Sequence, residues 1–257
     1  MPEETVITVE NVDAGYGSPV LQDISFTVRR GEVFVILGGS GCGKSTLLKH
    51  MIGLTPPLKG EIRLMGDRIS GGTQEERERA LRRFGVTYQS GALFGSMTLL
   101  ENVCLPLESF TDLPREARVL VAEMKLELVG LKEYADYFPA DISGGMKKRA
   151  AIARAMALDP ALLFLDEPSA GLDPVTSAEL DRLILRMRDT QGVTVVMVTH
   201  ELASIFAVAD RCIMLDKHTQ SLIAEGTPAG LRDHSDNATV HGFFNRKQAD
   251  LETLGHE

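Results

Sequence analysis

Gly38-Gly39-Ser40-Gly41-Cys42-Gly43-Lys44-Ser45-Thr46 satisfies the pattern G-x-x-x-x-G-K-[ST]. Glycines let successive backbone N–H groups turn into one anion-binding nest, and a following helix adds the positive end of its dipole. Lys44 would reach the β- and γ-phosphates of a nucleotide, and Ser45 offers a hydroxyl to Mg2+. At ordinary residue frequencies the pattern arises by chance in roughly one chain in a hundred of this length. A glycine turn capping a core strand is the plainer reading of such a loop, but it leaves Lys44 at the first helical turn unexplained.

A second cluster closes Leu162-Leu163-Phe164-Leu165-Asp166-Glu167, a buried strand ending in two carboxylates. In parallel α/β folds the carboxyl edge of the sheet is where ligands bind. Asp166 suits Mg2+ there, and Glu167 suits a general base for water attacking a γ-phosphate. A strand ending in Asp-Glu is common by itself, and the phosphate loop is what gives it weight. Ile142-Ser143-Gly144-Gly145-Met146 precedes a helical stretch from Lys147 to Leu158, placing Ser143 and two glycines at a helix amino terminus, another anion site.

The elements that must position these groups follow from hydrophobic patterning. Glu32–Leu37 is a continuous apolar run leading into the glycines, and the stretch Lys44–Gly53 after them is helical. Leu162–Leu165 and Val193–Val198 are two further buried strands separated by a helix over Pro174–Thr190, the alternation of a parallel sheet with crossover helices. Upstream, Ile24, Phe26 and Val28 alternate as a half-buried strand. Val6, Thr8 and Glu10 do so less cleanly, so the first thirty residues read as antiparallel sheet. From about Ser90 to Asp159 the character is helical, with Pro114 at a first-turn position and Val119, Leu120, Met124 and Leu128 as an apolar stripe. Glu75/Arg79 and Glu78/Arg82 form i,i+4 pairs on a preceding solvated helix.

The chain has 257 residues, with 27 Lys+Arg against 36 Asp+Glu and a net charge of −9, which argues against a nucleic-acid binder that works by releasing counterions. A hydrophobic fraction of 44% and a charged fraction of 25% are those of a globular chain with a full core. Met1–Asn11 lacks the basic and apolar regions of a signal peptide. The longest apolar runs, Val33–Leu37, Ala161–Leu165 and Val193–Val198, are strand-length and far below the ~18 residues that cross a bilayer. Cys42, Cys104 and Cys212 are odd in number and widely spaced, consistent with a reducing cytosol.

With the phosphate loop, the Asp166-Glu167 edge and Ser143-Gly144-Gly145 in this order, the chain resembles the nucleotide-binding subunit of an ABC transporter over nearly its whole length. The resemblance implies a P-loop NTPase with a RecA-like parallel sheet, an antiparallel β subdomain and a helical subdomain inserted at about 90–159. It also implies one ATPase domain over 1–247, with 228–257 as a C-terminal extension. Each ATP, with Mg2+, would lie between one subunit's phosphate loop and the S-G-G motif of a second copy. By the same resemblance Tyr16 stacks on adenine, Gln89 is the Q-loop glutamine that meets Mg2+ and the attacking water, Ser169–Asp173 is the D-loop with Asp173 near the partner, and His200 is the switch histidine at the γ-phosphate. Without it, Tyr16 would read as an exposed turn residue, Asp173 as turn chemistry and His200 as structural.

Met146 stands where most ABC subunits carry Gln, which removes one side-chain amide from the motif. Together with Ser90-Gly91-Ala92-Leu93-Phe94 and Lys147-Lys148-Arg149-Ala150-Ala151, the S-G-G-M form is similar to the Mla-type branch, which moves phospholipids between the inner and outer membranes of diderm bacteria. This implies a homodimer peripheral to the cytoplasmic face of the inner membrane, permease subunits docking near Ser90–Leu107, small regulatory and lipid-binding subunits, and no nucleic acid. The alternatives are an ABC importer or exporter ATPase for another small substrate and a soluble non-transport ABC ATPase. A small-molecule P-loop kinase leaves Ser143–Gly145 and His200 unexplained, and a nucleotide sensor without turnover leaves Glu167 unexplained.

Overall fold

The computed structural model describes residues 4–70 and 72–245; the last part of the expected C-terminal extension, 246–257, and the start of the segment Met1–Asn11 lie outside the described residues. β1 (Thr5–Tyr16) and β2 (Ser18–Arg29) form an antiparallel hairpin, followed by β3 (Val33–Gly38), the glycine loop and α1 (Lys44–Met51). β4 (Lys59–Leu64) and β5 (Asp67–Arg68) then extend the hairpin into a four-stranded sheet, order β2-β1-β4-β5. After α2 (Gln74–Leu81) and β6 (Phe84–Thr87) come the helices α3 (Leu99–Phe110), α4 (Arg115–Leu128) and α5 (Gly144–Ala155). The chain returns through β7 (Leu162–Asp166), α6 (Pro174–Gln191), β8 (Thr194–Val198), α7 (Leu202–Val208), β9 (Arg211–Asp216) and β10 (Ser221–Gly226), and closes with α8 (Pro228–His234) and α9 (Ala238–Phe244).

The larger sheet runs β10-β9-β3-β8-β7-β6, parallel from β9 to β6 with β10 antiparallel at one edge. Its central strands are apolar without interruption because both faces are covered. Phe34, Ile36, Phe164, Val196, Val198 and Ile213 face a core shared with α1 and the antiparallel sheet. The residues between them, Val35, Leu37, Leu163, Leu165, Val195 and Met197, face a second core closed by helices. Val240, Phe243 and Phe244 of α9 are buried in that second core, with the Phe244 ring 5.8 Å from Phe206. Among the described residues no helix is long and apolar enough to cross a membrane.

Local chemistry sets the helix ends. α6 opens on Asp173, whose side chain accepts from Val175 and Thr176 N–H, has Pro174 in its first turn, and ends at Gly192 with φ 66°. α3 opens on a Thr98/Glu101 capping box.

Four expectations are corrected. In β1 Val6 is buried as expected, but Thr8 is half-buried and Glu10 exposed, and the core-facing residues after Val6 are Ile7 and Val9, then Val12 and Ala14; a bulge with Asn11 at φ 47° shifts the alternation by one. In α4, Leu120 and Met124 are 61% and 66% exposed, and Ala122 and Leu126 enter the core instead. Two residues of offset is about 200° around a helix, so the two lines lie on opposite sides, and the one with the smaller Ala122 joins the core with α3. Pro114 is the N-cap of α4, one position before its first turn. On α2, Arg79 pairs with Asp67 of β5 at 3.1 Å and Glu78 accepts from Gln74, in place of the expected i,i+4 ion pairs.

Candidate functional site

β3 delivers the glycine loop to the carboxyl edge of the large sheet, and α1 starts from it at Gly43, an N-cap with φ 98°. Gly38 is the tightest position: a Cβ there would sit 2.4 Å from Cys42 Sγ and 2.5 Å from the Leu215 carbonyl, at φ 149°. Cys42 lies beneath the loop, 1% exposed, and burial pushes its thiol up. Gly39, Ser40 and Gly41 are exposed, and Thr46 is half-buried within the first turn of α1. Lys44 Nζ donates to the Gly38 and Gly39 carbonyls at 2.9 and 3.1 Å, so the loop wraps back around its own ammonium.

β8 lies between β3 and β7 and brings the second cluster alongside. Asp166 pairs in register with Val198, and the Glu167 N–H continues the ladder to the Val198 carbonyl at 2.9 Å. Ser45 Oγ donates to Asp166 Oδ1 at 3.5 Å. Burial, and then the neighbouring Glu167 carboxylate, hold the Asp166 carboxyl above its usual range. Ser45 and Asp166 thus present two hard oxygen donors beside a phosphate-binding nest, and Asp166 is a carboxylate that a cation would relieve, a donor set that fits Mg2+.

Glu167 is 9% exposed and sits at φ 47°, left-handed for a residue with a Cβ. Its Oε1 accepts from His200 Nδ1 at 2.9 Å, while Oε2 is buried with no hydrogen-bond partner. His200 follows β8 directly, and its side chain is 55% exposed. This is a carboxylate with one oxygen held by an imidazole and the other left to act, the arrangement a general base needs.

Gln89 lies two residues past β6, exposed. Its carbonyl accepts from Lys148 Nζ, and the same ammonium donates to the Glu167 carbonyl at 3.2 Å. Burial pushes the Lys148 amine down, against the pull of Glu167 and Asp166. Tyr16, at the end of β1, is 55% exposed with Lys49 Nζ 5.9 Å above its ring.

Ser143 caps α5 by accepting from Met146 N–H at 3.3 Å, and among the described residues no hydrogen bond joins Ser143–Gly145 to the phosphate loop. Instead Gly144 and Gly145 lie against Leu172 and Thr176. Asp173 spends its carboxylate on the start of α6 and on Thr176 Oγ1, and these hydrogen bonds hold it below the usual range. Val175 beside it is 68% exposed. The start of α5 therefore packs on the turn that opens α6, while Lys148, further along α5, reaches Gln89 and Glu167.

Two residues make contacts here that the sequence does not show. Lys148 belongs to Lys147-Lys148-Arg149-Ala150-Ala151, but its bonds to Gln89 and Glu167 have no counterpart in that pattern. Asn102, fully buried on α3, accepts from the Phe94 N–H at 2.8 Å and donates to the carbonyls of Phe94, Met97 and Thr98 at 3.1, 3.1 and 2.9 Å, fixing the loop before α3.

Residues 21–170 match the family model described as ABC transporter. The chain is 39% identical over 218 residues to the intermembrane phospholipid transport system ATP-binding protein MlaF of Escherichia coli K12, covering 84% of this chain and 80% of that protein. It is 40% identical over 249 residues to the probable ribonucleotide transport ATP-binding protein mkl of Mycobacterium tuberculosis H37Rv, covering 96% of this chain and 68% of that one. Among solved structures, a dimeric post-hydrolysis ATP-binding cassette bound to ADP and Pi superposes with TM-score 0.78 at 29% identity, covering 86% of this chain and 98% of that one. The cbiO1 protein of Clostridium perfringens, part of the ABC transporter complex cbiONQ, superposes with TM-score 0.82 at 26% identity over 99% and 100%.

Proposed function

Because this chain belongs to the ABC transporter family, as an ATP-hydrolysing subunit, we propose that it is the motor of a phospholipid transporter, working as a homodimer against an integral-membrane permease at the cytoplasmic face of a bacterial inner membrane. The observation that carries the ATPase site is the meeting of Lys44, Ser45, Asp166, Glu167 and His200 at one sheet edge. That Ser143–Gly145 makes no hydrogen bond to the phosphate loop among the described residues supports the dimer, since a second copy related by two-fold symmetry would bring its own Ser143 and Gly145 to the nucleotide.

In this reading Tyr16 stacks on the base, and the N–H groups from Gly39 to Thr46 cradle the phosphates. Lys44 lies on the β- and γ-phosphates. Ser45, Asp166 and Gln89 would hold Mg2+, which when bound offsets charge between the β- and γ-phosphates. Glu167 takes the proton of the attacking water, and His200 keeps its carboxylate in place. Positioning and charge supply most of the acceleration in phosphoryl transfer, so these groups suffice without a covalent intermediate.

The permease is proposed to dock on the segment Ser90–Leu107. Phe94 is 50% exposed, whereas Leu93 packs against the core. Beside it, α3 and α4 flank a groove of about 800 Å³ lined in part by Met97, Leu100, Cys104, Arg115, Arg118 and Val119. A lining that mixes apolar Met97, Leu100 and Val119 with charged Glu101, Arg115 and Arg118 suits a short amphipathic helix. The phospholipid cargo is supported by the likeness to MlaF.

Isolation of the chain from its native membrane, with identification of the bound integral protein and of co-purifying lipids, tests the whole reading. Phe94→Glu should lose that protein while still binding ATP; retention of the permease places docking elsewhere. Recovery of a permease whose ATPase rate responds to ribonucleotides and not to phospholipids would favour the function named for the mkl relative.

A further inference from the structure

The last turn of α1 carries a histidine to which neither the phosphate loop nor the carboxylate cluster assigns a task. His50 is 0% exposed, and both ring nitrogens are engaged. Nδ1 lies 2.9 Å from the Thr55 carbonyl, which can only accept, and 3.3 Å from Thr55 Oγ1, which can also accept, so Nδ1 carries the proton. Nε2 then has a free lone pair, and the Gly15 N–H donates to it at 3.1 Å. A single neutral tautomer satisfies both partners.

Gly15 is the residue before Tyr16, in a turn with little slack. Gly15 pairs with Pro19 and Tyr16 with Ser18 across the hairpin, and a Cβ on Gly15 would come 2.1 Å from the Ser18 carbonyl. The Tyr16 ring projects from this turn, its centroid 6.1 Å from that of His50. Lys44 and His50 are six positions apart on one helix, about 9 Å along its axis at 1.5 Å per residue. α1 thus presents a phosphate end and, through His50, a grip on the hairpin that bears the aromatic platform.

We propose that His50 is a positioning residue for nucleotide binding: by accepting the Gly15 N–H it fixes Tyr16 at a set distance from the phosphate loop, so that base and phosphates are engaged together. This rests on the reading of Tyr16 as the base platform. It needs no contact between His50 and the nucleotide.

Asn and Gln substitutions separate the two ring nitrogens. In His50→Asn the amide stands near the place of Nδ1 and can still donate to Thr55, but it is too short to meet Gly15. In His50→Gln the longer chain brings an acceptor to the place of Nε2. Steady-state hydrolysis of ATP by the full chain is measured for both, with inorganic tripolyphosphate, which has no base, as a competitive inhibitor. KM for ATP should rise several-fold in His50→Asn and stay near the native value in His50→Gln. In both variants kcat and the tripolyphosphate inhibition constant should be unchanged.

An unchanged KM in His50→Asn, or a rise in His50→Gln equal to that in His50→Asn, overturns the proposal. So does a parallel loss of tripolyphosphate binding, which would mean general damage to α1. Should His50→Asn fail to fold, His50→Gln still decides, because a raised KM there contradicts the role of the acceptor. Tyr16→Ala is the control: if it leaves KM for ATP unaltered, the base-platform reading fails and this proposal falls with it. A raised KM in Tyr16→Ala with a native KM in His50→Asn overturns the inference alone.

Discussion

Replacing Asn102 by alanine would release the loop from Phe94 to Thr98. Its side chain makes one accepted bond and shares two N–H donors among three carbonyls, all from a fully buried position. Counting three effective bonds at about 0.5–1.5 kcal/mol net each gives a loss of about 1.5–4.5 kcal/mol, with the orphaned Phe94 N–H placing it toward the upper end. For a domain of this size each kcal/mol is about 2–4 °C in Tm, so the midpoint should fall by about 3–18 °C. The thermal melt should be read beside ATP binding, because the phosphate loop and Tyr16 hydrogen-bond elsewhere and should keep their affinity. Asn102→Asp sharpens the test. It keeps the acceptor for Phe94 but turns a carboxylate oxygen toward three carbonyl oxygens, so despite its shape it should destabilise at least as much as alanine. A shift under 1 °C for Asn102→Ala, or an Asp variant as stable as the native chain, would refute the account of what holds this loop.

Three further outcomes follow from the site. Glu167→Gln keeps the shape and removes the base, so phosphate release should drop ~10²–10⁴-fold while ATP still binds; near-native release would sink the assignment. In Asp166→Asn the nucleotide-free chain should melt higher than native at pH 7. Asp166 has its carboxyl pushed up, so its ionised form weakens the fold above that raised pKa, and the gap should shrink as pH falls and the native Asp166 protonates; a lower Tm for Asp166→Asn at pH 7 would contradict this. Burial pushes the Cys212 thiol up to about 12 and raises that of Cys42, so at pH 8 Ellman's reagent should react slowly with both in the native chain and quickly with all three cysteines after unfolding; rapid labelling of all three in the native chain would refute the burial.

The sequence made legible those features that depend on neighbours along the chain. The glycine loop is a linear pattern, and a strand covered on both faces must be apolar throughout, so β3, β7, β8 and the carboxylates at the end of β7 are readable from residue types. Faces were harder. The alternation in β1 passes through a bulge at Asn11, and α4 offers two apolar lines whose burial is decided by α3. The contacts of Lys148, Asn102 and His50 are not legible in the sequence, since each acts by bonding backbone groups. Every residue has a carbonyl and nearly every one an N–H, so a side chain aimed at Gln89, Phe94 or Gly15 leaves no complementary residue type to notice. Glu167 was identified as a carboxylate at a strand end, but its left-handed backbone and unpartnered oxygen arise from tertiary packing.

The division of the central strands between two cores also limits how the length of this chain can vary. Each residue of β3, β7 and β8 faces one core, and its neighbours face the other. A single inserted or deleted residue in β7 would exchange the two sets, sending Phe164 toward the helices and Leu165 toward the antiparallel sheet. It would also carry Asp166 and Glu167 past or short of the sheet edge and turn them to the opposite side. Length changes should therefore be tolerated in exposed connections between elements, such as the one between α3 and α4, and not within the strand that presents Asp166 and Glu167.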